Sequence, residues 1–122
     1  MSTRQKGNRA ENRFGDLLRE RGYIPFYSRG SRGIDLIAIV ADPAESGYGL
    51  PFLAVEIGRR GKAIAASFAA LREAPKPAGT RVLVARYLRK KGVRNGWWRV
   101  HINEDTYLDD LDAALASLRD AA

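Results

Sequence analysis

Apolar residues fall into helical and strand periods along this chain. Ala10, Phe14, Leu17 and Leu18 recur at three- and four-residue intervals and predict a helix over residues 9–21, with Gly22 as its stop. Glu11 precedes Phe14, Gly15 and Leu18 by three, four and seven residues, so it points towards the apolar side of that helix. Residues 1–9 are polar and basic and predict a flexible arm. Tyr23 to Tyr27, interrupted by Pro25, reads as an edge strand. The runs 34–40 and 52–57 are apolar except for one acid each, Asp35 and Glu56, and predict two buried strands. Asp42-Pro43 and Gly47-Tyr48-Gly49 mark a long hairpin connection between them. Ile64, Phe68 and Leu71 outline a second helix closed by Pro75 and Pro77, and Val82, Leu83 and Val84 a strand over 81–87. A last strand covers 97–102, and Leu108, Leu111, Leu115 and Leu118 form the buried stripe of a final acidic helix. The order α-β-β-β-α-β-β-α has no repeat or linker, and its strand-helix-strand step implies a right-handed crossover and one parallel pair. The expected fold is α/β, a central mixed sheet flanked by helices, in one domain spanning residues 1–122.

Charge sharpens this picture. Lys and Arg number 21 against 14 Asp and Glu, a formal +7, with a pI near 10.1. Residues 1–103 alone carry 20 bases and 8 acids, a balance of +12, while the last 19 residues carry Arg119 and six acids. A body this basic favours an anionic partner. The absence of cysteine removes disulfides and thiolate metal sites and points towards the cytosol. One histidine, His101, cannot build a His-rich zinc site, and it reads as a strand residue rather than a ligand. No apolar run reaches the roughly 20 residues needed to span a bilayer, and no apolar signal-peptide core follows the N-terminus, so a soluble, cytoplasmic protein without a membrane partner is expected.

The two acids inside apolar strands carry the chemistry. Burying an unpaired carboxylate costs several kcal/mol, so each needs a compensating partner. Alternation puts Asp35 on the face of Ile37 and Ile39, and Glu56 on the face of Phe52 and Ala54. If the strands are neighbours, both acids can open onto one end of the sheet. Converging carboxylates offer the all-oxygen environment preferred by Mg²⁺ or Mn²⁺, which would act on a phosphodiester. The alternative is that Asp35 and Glu56 form buried ion pairs with nearby arginines.

Gly33-Ile34-Asp35-Leu36-Ile37-Ala38, followed about twenty residues later by Ala54-Val55-Glu56-Ile57, resembles the Asp…Glu-x-Lys core of the PD-(D/E)XK nucleases. Lys6-Gly7 through Ala10-Glu11, ahead of Leu17-Leu18-Arg19-Glu20-Arg21-Gly22-Tyr23, is similar to the first helix of archaeal-type Holliday-junction resolvases. The resemblance covers residues 6–62 and continues more loosely beyond them. It implies a restriction-endonuclease-like fold and a magnesium-dependent endonuclease, working as a homodimer on branched DNA in recombination and repair. It also implies that Glu11, Asp35 and Glu56 form the acidic metal site, with Asp35, Glu56 and the backbone carbonyl of Ile57 as direct ligands. Ser28 and Ser31 are the candidates for a serine on the loop before the aspartate, with Ser31 preferred.

One departure matters: Gly58 stands where the family places its lysine. Strand parity would return Arg60 and Lys62 to the face of Glu56, with Arg60 about 6.6 Å beyond position 58. An arginine there could stabilise charge but not act as a base. The expected DNA contacts are Arg4, Lys6, Arg9 and Arg13; Arg29 and Arg32; Arg59 and Lys62; and Arg89, Lys90 and Lys91. Gly58-Arg59-Arg60-Gly61-Lys62 is not a phosphate-binding P-loop, because the glycine spacing is wrong and Ala63 replaces the hydroxyl residue. Trp97 and Trp98 are adjacent, so one should enter the core and the other face outward. Three functions remain open: a junction-cutting endonuclease, a relative acting on flaps or duplex, and a catalytically impaired DNA-binding protein on the same fold.

Overall fold

The computed structural model describes residues 3–28, 33–42, 50–58 and 61–120, with the side chains of residues 3–8 outside that description. The elements are α1 (Thr3–Arg19), β1 (Tyr23–Tyr27), β2 (Leu36–Val40), β3 (Phe52–Ile57), α2 (Ile64–Glu73), β4 (Arg81–Leu88), β5 (Trp97–His101), β6 (Tyr107–Leu108) and α3 (Leu111–Asp120). The six strands form one mixed sheet in chain order. Neighbours pair antiparallel except β3 and β4, which run parallel through the α2 crossover.

Strand alternation sorts the core into two layers. Leu36, Ala38, Leu53, Val55, Ile57, Leu83, Ala85 and Val100 meet Phe14 and Leu18 of α1 and Leu111, Ala114, Leu115 and Leu118 of α3 on one face. Ala54 and Val84 meet Phe68 and Leu71 of α2 on the other, with Ile37 and Val82 packed alongside. A strand buried on both faces needs a nearly unbroken apolar sequence, which explains the Phe52–Ile57 run. None of the helices among the described residues is long and apolar enough to cross a membrane.

The structure corrects three expectations. Helical backbone starts at Thr3, ahead of the expected start of the first helix at residue 9. Arg4, Gln5 and Lys6 are good helix formers and carry the helix back beyond its apolar stripe despite Gly7 and Asn8. The helix then closes as foreseen: Gly22 adopts φ 85°, and its N–H donates to Arg19 C=O at 3.1 Å. Second, Leu108 belongs to β6, where it pairs with Val100, and not to the last helix. Asp110 fixes the later start of α3 by accepting from Ala113 N–H at 3.3 Å. Third, regular β2 begins at Leu36, with Asp35 just before it.

The tryptophans divide as alternation requires. Trp98 turns inward, its ring 5.0 Å edge-on from Phe14, while Trp97 is exposed.

Candidate active site

Asp35 enters the site through backbone geometry. Its N–H donates to Val55 C=O at 2.8 Å, and its Oδ2 accepts from Ile57 N–H at 2.6 Å. The aspartate thereby bonds to the residues on either side of Glu56, which fixes it beside that glutamate at the end of β3. The β2–β3 register, which pairs Leu36 with Val55, brings the two acidic positions to the same level of the sheet.

Glu56 is only 5% exposed. Its Oε1 accepts from Lys62 Nζ at 2.6 Å and from Ser67 Oγ at 3.0 Å. Its Oε2 is buried with no hydrogen-bond donor among the described residues. The neutralising partner is therefore a lysine, where the ion-pair alternative read from the sequence named arginines. Ser67, fully buried on α2, was not foreseen as a site residue. Its position was legible: it lies three residues after Ile64 and four before Leu71, inside the apolar stripe of α2, where a hydroxyl needs a partner.

Glu11 comes from the first helix. It lies on α1, whose buried residues pack on the opposite face of the sheet from Ser67 and α2. One turn after it, Gly15 lies against the Tyr27 hydroxyl at the end of β1. Among the described residues no three His, Cys, Asp or Glu side chains gather as a metal-ligand group. The β2–β3 register brings the two strand acids together, while Glu11 comes from a helix in the other layer from α2.

Gly58 has a physical explanation. Its N–H continues the parallel ladder to Ala85 C=O at 2.7 Å, which makes Arg86 its lateral neighbour. A Cβ at position 58 would lie 2.6 Å from Arg86 Cγ and 2.7 Å from Arg86 Nε. The arginine fills the space where a side chain at 58 would begin. Arg86 Nη2 in turn donates to the Lys62 carbonyl.

From Gly58 and Arg86 opens a cleft of about 520 Å³, lined also by Gly61, Tyr87, Leu88 and Arg89. A second cleft of about 330 Å³ shares Tyr87 and Arg89 and reaches Arg9, Ala10, Arg13 and Trp98. Neither lining contains an acid. Of the expected DNA contacts, Arg9, Arg13 and Arg89 border these clefts, Lys62 is engaged by Glu56, and Lys90 and Lys91 are exposed on the adjoining turn. Arg4 and Lys6 lie within α1 with their side chains outside the description, and Arg29, Ser31, Arg32, Arg59 and Arg60 fall outside the described residues. Arg86, not among the residues expected from the sequence, is half-buried and lies directly against position 58.

His101 sits behind this region on β5, 8% exposed. Burial lowers its pKa below the usual 6.5, and the positive charges of Arg86 and Arg99 lower it further against a smaller opposite pull from Asp109. It is a neutral core residue, as its place in a strand suggested.

Comparison with protein-family models, with curated proteins and with solved structures found no match.

Proposed function

We propose that the chain is a metal-dependent phosphodiester endonuclease built on a restriction-endonuclease-like version of this α/β fold. Within that class, the resemblance of residues 6–62 favours cleavage of four-way DNA junctions. The observation that carries the reading is Glu56 Oε2, a buried carboxylate oxygen with no donor among the described residues, held beside Asp35 and two residues before Gly58, which lines a basic cleft. Such an oxygen is costly to bury and is well suited to a hard cation. Asp35, Glu56 and the Ile57 carbonyl form an all-oxygen set that would hold Mg²⁺ or Mn²⁺. Bound there, the ion supplies Lewis-acid polarisation of a phosphodiester and screens the charge growing on it.

The chain's own groups divide the remaining work. Ile57 N–H orients the Asp35 carboxylate, and Lys62 with Ser67 orients Glu56. Arg9, Arg13 and Arg89 border the path along which a DNA backbone would lie and contact phosphates rather than bases. A four-way junction presents two equivalent strands, so the working form is a twofold homodimer.

The test is cleavage of a labelled four-way junction and a matched duplex in Mg²⁺. Native protein is expected to nick the junction in symmetric pairs, and Asp35→Asn or Glu56→Gln to slow this by about 10³-fold, the scale of several kcal/mol of lost charge stabilisation. A second reading is a DNA-binding protein without cleavage, favoured by the Lys62 ammonium already seated on Glu56 at 2.6 Å. Junction binding without nicks, indifferent to Asp35→Asn, would establish that reading. Equal cutting of flaps or plain duplex would leave an endonuclease of broader substrate range.

A further inference from the structure

We propose that Arg86 is the phosphate-binding cation of this site, reaching from β4 into the place left open by the absent side chain at Gly58. This deepens the endonuclease reading and rests on it for the identity of the ligand, a phosphodiester of DNA.

Three observations converge. The parallel β3–β4 register puts Val84 beside Glu56 and Ala85 beside Ile57, so the next step sets Arg86 beside Gly58, at the carboxyl ends of the one parallel pair among the described residues. Ligands in such sheets bind beyond those strand ends. The approach of Arg86 Cγ and Nε to Gly58 is close enough that any side chain at 58 would displace the arginine, so glycine here is what admits it. Finally, Arg86 is half-buried; among the described residues its Nε is buried without an acceptor, and its one hydrogen bond goes to a neutral carbonyl, that of Lys62. No described carboxylate lies within ion-pair distance of it. A guanidinium held partly out of water without an anionic partner is costly, and it becomes favourable when an oxyanion enters the cleft it lines. Its planar donors suit two non-bridging phosphate oxygens, and it keeps its proton throughout, so it stabilises charge and removes no proton.

The test exchanges the two positions. Arg86→Ala is expected to slow junction cutting by about 100-fold, the usual scale for one lost charge-stabilising donor, and to weaken junction binding, with the melting temperature near native. Arg86→Lys should retain more activity than Arg86→Ala. Gly58→Lys alone collides with Arg86 and should cut and fold poorly, whereas Gly58→Lys with Arg86→Ala should cut faster than Arg86→Ala. Native-rate cutting by Arg86→Ala, or a double variant that folds yet cuts no faster than that single variant, would overturn the assignment. If the native chain cuts no DNA at all, the endonuclease reading fails, and thermal melting with inorganic phosphate decides Arg86 separately. A phosphate-dependent rise in the native protein that Arg86→Ala lacks upholds the site. The same rise in both, or none in the native protein, refutes it.

Discussion

Residue by residue, the site is built from groups whose strand or helix neighbours are apolar. Asp35 and Glu56 stood out for that reason, since a lone acid in an apolar run is costly unless something answers it. Ser67 and Arg86 obey the same rule but were harder to see. Ser67 sits in a helix stripe and Arg86 follows Val82 and Val84 on one face of β4, yet its role emerges only once the parallel register aligns it with Gly58. Sequence alone reads Gly58 as a loss; the neighbouring strand shows what uses the space. His101 offers a prediction at this scale. Its folded pKa lies below 6.5 because burial disfavours the charged ring. Above the unfolded value both states are neutral and pH has no effect through this group. As pH falls through that value, the unfolded chain takes up more protons and the folded state loses stability, down to the folded pKa. Urea titrations from pH 7.5 to about 5 should therefore show a steeper loss for the native protein than for His101→Gln, with the difference confined to the acid side. Parallel pH profiles would contradict it.

At the level of elements, the periodic segments were the legible part. α1, β1, β3, α2, β4 and α3 follow apolar spacing that a single chain displays, and the parallel pair follows from a strand-helix-strand order. What stayed hidden were boundaries governed by local hydrogen bonds. Leu108 fits the stripe of Leu111, Leu115 and Leu118 at helical spacing, but Asp110 caps the helix after it and leaves Leu108 to pair with Val100. Likewise, the start of α1 at Thr3 falls among polar residues, for which apolar periodicity gives no sign. Asp110→Ala should cost about 1 kcal/mol of stability, the usual cost of losing an aspartate cap. Denaturant unfolding checks the size, and a change below a few tenths of a kcal/mol would mean that packing of Leu111 and Leu115, not the cap, sets the helix start.

Across the whole molecule, opposite charges pair so that the arginines bordering the two clefts are left without carboxylate partners among the described residues. The acids near the C-terminus answer arginines of the basic body: Asp112 binds Arg21 at 2.7 Å, Asp109 binds Arg99 at 2.8 Å, and Glu104 binds Arg72. Arg9, Arg13, Arg86 and Arg89 have no carboxylate within ion-pair distance among the described residues, and they border the two clefts that meet at Tyr87 and Arg89. A DNA backbone laid along them would release condensed counterions, and the logarithm of its affinity would fall linearly with that of salt concentration. Replacing Arg9, Arg13 or Arg89 by Gln should each reduce that slope by about 0.9, and the three together by about 2.7, if each neutralises one phosphate of duplex arms. Arg99→Gln is the internal control, because its charge is already met by Asp109 and it lies outside both clefts. Its slope should match the native one. Fluorescence anisotropy of a labelled junction between about 50 and 200 mM salt supplies the measurement. If the cleft variants keep the native slope, DNA follows another surface of the basic body, and Asp35 and Glu56 would need a different route to a phosphodiester.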